Sequence, residues 1–183
     1  MAVTWDYLQA RRAKLKDRPA VRNGQVNWWM PERPRDPKHM LRPKITTPHL
    51  VLVPRFALDV KGKYAVSHAP FVFPIESGAE EDLLRFFLAV LNSTACFWHI
   101  TTHSHSYQRG YARLEAVTLS QTRVPDPSGV DPSIMRRILR LVDKRLTCTT
   151  SEGMQATERE LDDLVADLYG LTVKERRGIG MEG

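Results

Sequence analysis

Trp5, Leu8, Arg12 and Leu15 recur near one face of a 3.6-residue period, which predicts a helix over residues 4–16 with Thr4 as its cap. Asn23-Gly24 supplies a turn. Asn27-Trp28-Trp29-Met30 is a short aromatic patch that either packs in a core or interface, or offers ring faces to a base. Pro31, Pro34, Pro37 and Pro43 then fix φ and remove amide donors, so an extended, irregular connection is expected. From His49 to Asp59 the chain is apolar and rich in β-branched residues, the pattern of a buried strand. Val60 to Lys63 makes a turn, and Tyr64 to Val66 and Phe71 to Pro74 return as one or two strands, most economically a hairpin.

Helical periods follow. Ser77-Gly78-Ala79-Glu80 has the spacing of a capping box, and the helix it opens carries Leu83, Leu84, Phe86, Phe87, Leu88, Val90 and Leu91. Apolar residues cover most of its circumference, so it is predicted to be central and to end at Asn92-Ser93. Ala95 to Ile100 fits either a strand or a helical continuation, and Thr101 to Gly110 reads as an exposed polar loop. Asp131-Pro132 starts a helix whose buried face is Ile134, Ile138, Leu141 and Val142, with Leu146 at its margin. Thr157 and Glu160 form a second capping box, opening a helix with Leu161, Leu164, Val165 and Leu168 that Gly170 closes. The predicted fold class is α+β: a small, mainly antiparallel sheet packed on an apolar central helix, with an N-terminal helix and two C-terminal helices. Its expected parts are an N-terminal helix and basic connection (1–45), a core domain (46–128) and a C-terminal helical extension (129–183).

Charge changes this picture by adding a direction. The net charge is +6, and cations dominate the first fifty residues while acids dominate from Ser151 onward. A polyanion is therefore the natural partner for the front of the molecule and something else for its tail. Cys96 and Cys148 match no zinc spacing and are expected as free thiols in a reducing cytoplasm. No apolar run approaches the roughly 20 residues of a bilayer span, and the first residues lack a secretory core, so neither membrane nor export is expected.

Candidate chemistry is mostly defined by what is missing. There is no phosphate-binding glycine loop, no nucleophile elbow and no N-P-P-Y or D-P-P-Y motif to hold a flipped adenine. His99, His103 and His105, with Cys96 nearby, are the best metal donors, but no acid lies between Phe97 and Tyr111 to complete a set, so no metal is expected. Nucleic-acid chemistry is better represented. Arg42, Lys44, Arg55, Lys61 and Lys63 surround the first predicted hairpin, where they would neutralise phosphates. His103, Ser104, His105, Tyr107, Gln108, Arg109 and Arg113 supply donors and acceptors suited to base edges, glutamine for adenine and arginine for guanine. An ordinary solvated loop has the same composition.

Specific strings narrow the choice. Trp5-Asp6-Tyr7-Leu8, Arg42-Pro43-Lys44-Ile45, Pro54-Arg55-Phe56-Ala57-Leu58-Asp59 and Gly62-Lys63-Tyr64 occur in that order. Leu88-Ala89-Val90-Leu91-Asn92-Ser93, Arg109-Gly110-Tyr111, Leu119, Val124-Pro125-Asp126-Pro127 and Leu168-Tyr169-Gly170-Leu171-Thr172 follow. Together they resemble the TaqI-like C-terminal specificity domain of adenine-specific restriction-modification DNA methyltransferases. The resemblance implies a module that binds duplex DNA and positions it for a catalytic partner, which would carry S-adenosylmethionine. No cofactor and no activity are expected of this chain alone. In that scheme the cations near Lys61 grip the backbone, the loop before Tyr111 reads sequence, and the acidic tail meets the catalytic part. Two other readings stay open at this point: a protein-interaction module of a phage-defence complex without DNA contact, and a nuclease or RNA-processing enzyme using His103, His105 and nearby acids.

Overall fold

The computed structural model describes residues 2–32, 36–66, 71–72, 80–106 and 108–181. The chain forms two compact units, Met1–Met40 and Leu41–Gly183.

Among the described residues of the smaller unit are four short helices: α1 (Ala2–Ala10), α2 (Arg12–Lys16), α3 (Pro19–Arg22) and α4 (Pro37–Met40). The continuous helix expected over 4–16 is broken at Arg11, whose φ of −112° and ψ of 12° leave the helical region. Helix α1 already runs at Ala2, so Thr4 sits inside it and not at its cap. Trp5, Trp28 and Trp29 meet pairwise, with ring centroids 5.6, 6.4 and 5.7 Å apart. Arg18 holds the Trp28–Met30 turn by donating to the carbonyls of Trp28 and Met30 at 2.9 and 2.7 Å. Trp28 is buried, so the aromatic patch serves as packing within this unit.

Among its described residues the larger unit has two three-stranded antiparallel sheets instead of one. In the first, β1 (Lys44–Thr46) lies between β3 (Ala57–Asp59) and β4 (Phe71–Val72). In the second, β6 (Ala112–Arg113) lies between β2 (Leu50–Val51) and β5 (His105–Ser106). The hairpin expected between residues 49–59 and 64–73 is therefore corrected. The apolar run does not continue as one strand through Pro54, and Leu52 and Val53 stand exposed. Its two ends pair in different sheets, Leu50 with Arg113 and Ala57 with Thr46. Phe73, Pro74 and residues 77–79 of the expected capping box lie outside the described residues.

The central helix is α5 (Glu80–Asn92), with Leu84, Phe86, Leu88, Val90 and Leu91 all buried. It packs on the first sheet, on α6 (Thr94–His103), α8 (Pro132–Thr147) and α9 (Ser151–Leu168). Ser93 accepts the Cys96 amide at 3.2 Å, caps α6 and turns it 68° away from α5. That cap resolves the 95–100 segment as helix. After α7 (Ala116–Gln121), Asp131 caps α8 with Pro132 in the first turn. Helix α9 begins at Ser151 under a Thr150 cap, so the expected start at Thr157 is corrected. Thr157 is buried within the helix and donates to the Gly153 carbonyl at 2.8 Å. Thr172 and Glu175 form a capping box that opens α10 (Val173–Gly178). Ile138, Leu141, Val142, Leu161, Leu164 and Val165 share one core with α5, Ile45 and Val51, so the C-terminal helices and the strands form one α+β body. Among the described residues no single helix is long and apolar enough to cross a membrane.

Candidate nucleic-acid interface

Several of the strings that carried the family resemblance converge on a scaffold. Lys44 is fully buried, and its Nζ lies 2.6 Å from Oδ2 of Asp59, itself only 6% exposed. Asp59 also accepts the amides of Lys63 and Tyr64, each at 3.0 Å, and so closes the turn from 59 to 64. Burial opposes ionisation of Asp59, but the Lys44 hydrogen bond and the two amides outweigh it and hold the carboxyl below the usual carboxylate range. Gly62 completes the turn at φ +60°, where a Cβ would stand 2.5 Å from the Leu41 carbonyl oxygen. The expectation that Lys44 grips phosphate is thus corrected: its ammonium neutralises Asp59 inside the protein and cannot reach a duplex. Asn92 does comparable work one layer away. Its Oδ1 accepts the Phe56 amide, and its Nδ2 donates to the carbonyls of Phe56 and Leu88, all at 3.0–3.1 Å.

Arg42, Arg55, Lys61 and Lys63 are exposed around the first sheet, and exposure is what a phosphate contact requires.

The second sheet has a dry face and a wet one. The registers His105↔Arg113↔Leu50 and Ala112↔Val51 place paired side chains on common faces. Val51 and Ala112 are buried, whereas Leu50, His105 and Arg113 form an exposed row across three strands. Arg113 is held in that row, donating to His49 Nε2 at 2.9 Å and lying 3.0 Å from Glu115 Oε1. The β5–β6 hairpin carries Gln108 and Arg109 at its tip, both exposed. Arg109 has φ +64° and Gly110 φ +80°, so Arg109 occupies the left-handed region that costs a non-glycine residue about 1–2 kcal/mol. Tyr107 lies outside the described residues.

His103 and Ser104 belong to the end of α6 instead of to the loop. The Nδ1 of His103 is 2.8 Å from the His99 carbonyl, and Ser104 donates to Ile100 at 2.7 Å. Ser104 is half-buried by that role, while the His103 ring stays exposed beside His99, centroids 4.3 Å apart. Burial, His103 and Arg123 together hold His99 below the usual imidazole range. Cys96 is buried, and burial outweighs a Tyr169 hydrogen bond to push its thiol up to about 11. Among the described residues no group of three or more His, Cys, Asp or Glu side chains is placed to hold a metal ion.

The acids expected to face a catalytic partner are largely engaged at home. Glu160 pairs with Arg137, Glu158 with Arg145, and Asp163 and Asp167 with Arg176. Asp162 accepts both the amide and the hydroxyl of Thr94, at 2.8 and 2.6 Å. One set of surface cations escaped the sequence reading: Arg136, Arg140 and Lys144 on α8. Their spacing of four along the sequence is the signal that marks them.

Nearly the whole chain has a counterpart in a larger protein. Over 185 aligned residues, 97% of this chain, it is 27% identical to the Type II methyltransferase M.PaeR7I of Pseudomonas aeruginosa. The chain is related to a restriction-modification methyltransferase. It spans 28% of that protein's length. No family model matches the chain.

Proposed function

We propose that this chain is a DNA target-recognition module of a restriction-modification methyltransferase, of the TaqI-like specificity type. The observation that carries the reading is the relationship to a type II methyltransferase over 97% of the chain. The exposed row and hairpin tip of the second sheet supply chemistry that fits it. Gln108 and Arg109 offer a carboxamide and a guanidinium, the groups that pair bidentately with adenine and guanine edges in the major groove. Arg42, Arg55, Lys61 and Lys63 neutralise phosphates and fix register without reading sequence. Catalysis, with its S-adenosylmethionine, belongs to a partner domain or subunit that holds the adenine.

Selection from a randomised duplex pool, followed by fluorescence anisotropy on the enriched and scrambled sequences, tests this. The expected result is an enriched motif that binds more tightly than the scrambled duplex. Arg109→Ala should lower discrimination at one position by about 1–3 kcal/mol. Lys61→Gln/Lys63→Gln should weaken both duplexes equally and reduce the dependence of log K on log salt by about 2. No enrichment, or binding indifferent to salt, overturns the reading in favour of a protein-docking module.

A further inference from the structure

The outward face of α8 carries cations that neither the hairpin nor the turn at 59–64 accounts for. Five basic residues lie on this helix: Arg136, Arg137, Arg140, Lys144 and Arg145. Two are consumed by the neighbouring helix, since Arg137 lies 2.6 Å from Glu160 and Arg145 2.6 Å from Glu158. The helix's acid, Asp143, is taken by Arg85 of α5 at 2.8 Å. Ile138, Leu141 and Val142 face the core. At 3.6 residues per turn, the side opposite those three is the side of Arg136 and Arg140, with Lys144 one turn further on. All three are exposed and enter no ion pair among the described residues. Asp143, beside Lys144, is the nearest acid on their own element and is the one Arg85 takes, while the cap Asp131 accepts the Ser133 amide at 2.7 Å and attracts Arg136 from the first turn.

The geometry points to a second phosphate-gripping surface, the α8 stripe Arg136–Arg140–Lys144, that seats one strand of duplex DNA. This rests on the DNA-recognition reading above and deepens it. Eight residues of helix span about 12 Å. One strand presents a phosphate every ~3.4 Å of duplex axis, so the stripe matches about three to four successive phosphates. Arginine and lysine on a rigid, well-packed helix keep that spacing without ordering a loop. Arg85 and α9 remove the competing acid and turn the other cations aside. Backbone contacts of this kind fix register and add affinity that is the same for every sequence.

The test compares two triple variants of the full chain with equal change in charge. One is Arg136→Gln/Arg140→Gln/Lys144→Gln; the control is Arg159→Gln/Lys174→Gln/Arg177→Gln on the exposed surface of α9 and α10. Glutamine is a good helix former, and circular dichroism checks that both variants keep the wild-type helicity. The stripe variant should lower the slope of log K against log salt by about 2 to 3, with target preference unchanged, while the control leaves the slope near wild type. Equal losses in both variants would make the effect one of net charge and overturn the stripe. An unchanged slope in the stripe variant, with wild type still binding selectively, would overturn the stripe and leave the recognition reading standing. If wild type shows no salt-dependent binding to duplex DNA, the recognition reading fails and the stripe fails with it.

Discussion

The Lys44–Asp59 pair makes the sharpest test, because the same lysine would have opposite consequences as a structural residue and as a phosphate ligand. Lys44→Met removes the ammonium and leaves Asp59 buried, with only the amides of Lys63 and Tyr64, each at 3.0 Å, to support its charge. Asp59→Asn leaves the ammonium buried, with the Arg42 carbonyl accepting from it at 3.3 Å. Breaking a buried pair from one side costs about 3–5 kcal/mol, a large part of the roughly 5–15 kcal/mol that holds a domain together. The double variant Lys44→Met/Asp59→Asn leaves neither charge stranded, so its cost should fall at least about 2 kcal/mol below the sum of the singles. Acid adds a second signature. The folded carboxyl titrates below its ordinary value of 3.8. The pair's contribution is therefore present above that value and lost as pH falls through the depressed folded one. Urea unfolding followed by circular dichroism, at neutral pH and in acid, measures all of this. Single variants that each cost under about 1 kcal/mol, or costs that simply add, would refute the structural role. A Lys44→Met protein that stays folded but loses a unit of salt slope would restore lysine to the DNA surface.

Three further outcomes follow from the same structure. Arg109→Gly should raise stability by about 0.5 kcal/mol, since glycine relieves the left-handed backbone and returns part of the gain as chain entropy; it should also lose target preference. A lower melting temperature would show that the turn carries no strain. Maleimide should label Cys148 in the native protein, where the backbone and side chain of Thr150 hold its thiol below the usual range. Cys96, buried and raised, should react only after denaturation, and equal labelling rates would contradict its burial. Asp162 is held above the usual carboxylate range by burial, against the two Thr94 hydrogen bonds. Wild-type stability should therefore fall as pH rises from the ordinary value through the raised one, and Asp162→Asn should remove that slope. Parallel pH profiles for the two proteins would exclude the effect.

Helices with a dominant period were legible because their burial is written along a single stretch. The apolar girth of residues 83–91 announced α5, and Asp131-Pro132 announced α8. Strands of two and three residues were not legible in the same way. Leu50 and Val51 look like the start of a long strand until Arg113 and Ala112, sixty residues away, are known to pair with them. Lys44 illustrates the limit for the site. A lysine in a basic segment reads as solvent-facing unless its acid is identified, and Asp59 lay in a run that looked purely apolar. Thr157 misled for a related reason: the spacing to Glu160 fits a cap, but burial against the core decides where a helix begins. The exposed cations, by contrast, were recoverable from composition and spacing, and those on α8 needed only the assignment of its buried face.

The hairpin from His105 to Arg113 hangs from the body at its two ends, by Ile100 before it and by Ala112 and Leu114 after it, all buried. Its exposed residues, Gln108 and Arg109 among them, add little to the core. Substitution there leaves the folding of the body almost untouched. The exposed side chains of the tip can therefore change at little cost to stability, while Asn92, Asp59 and Lys44 hold the frame.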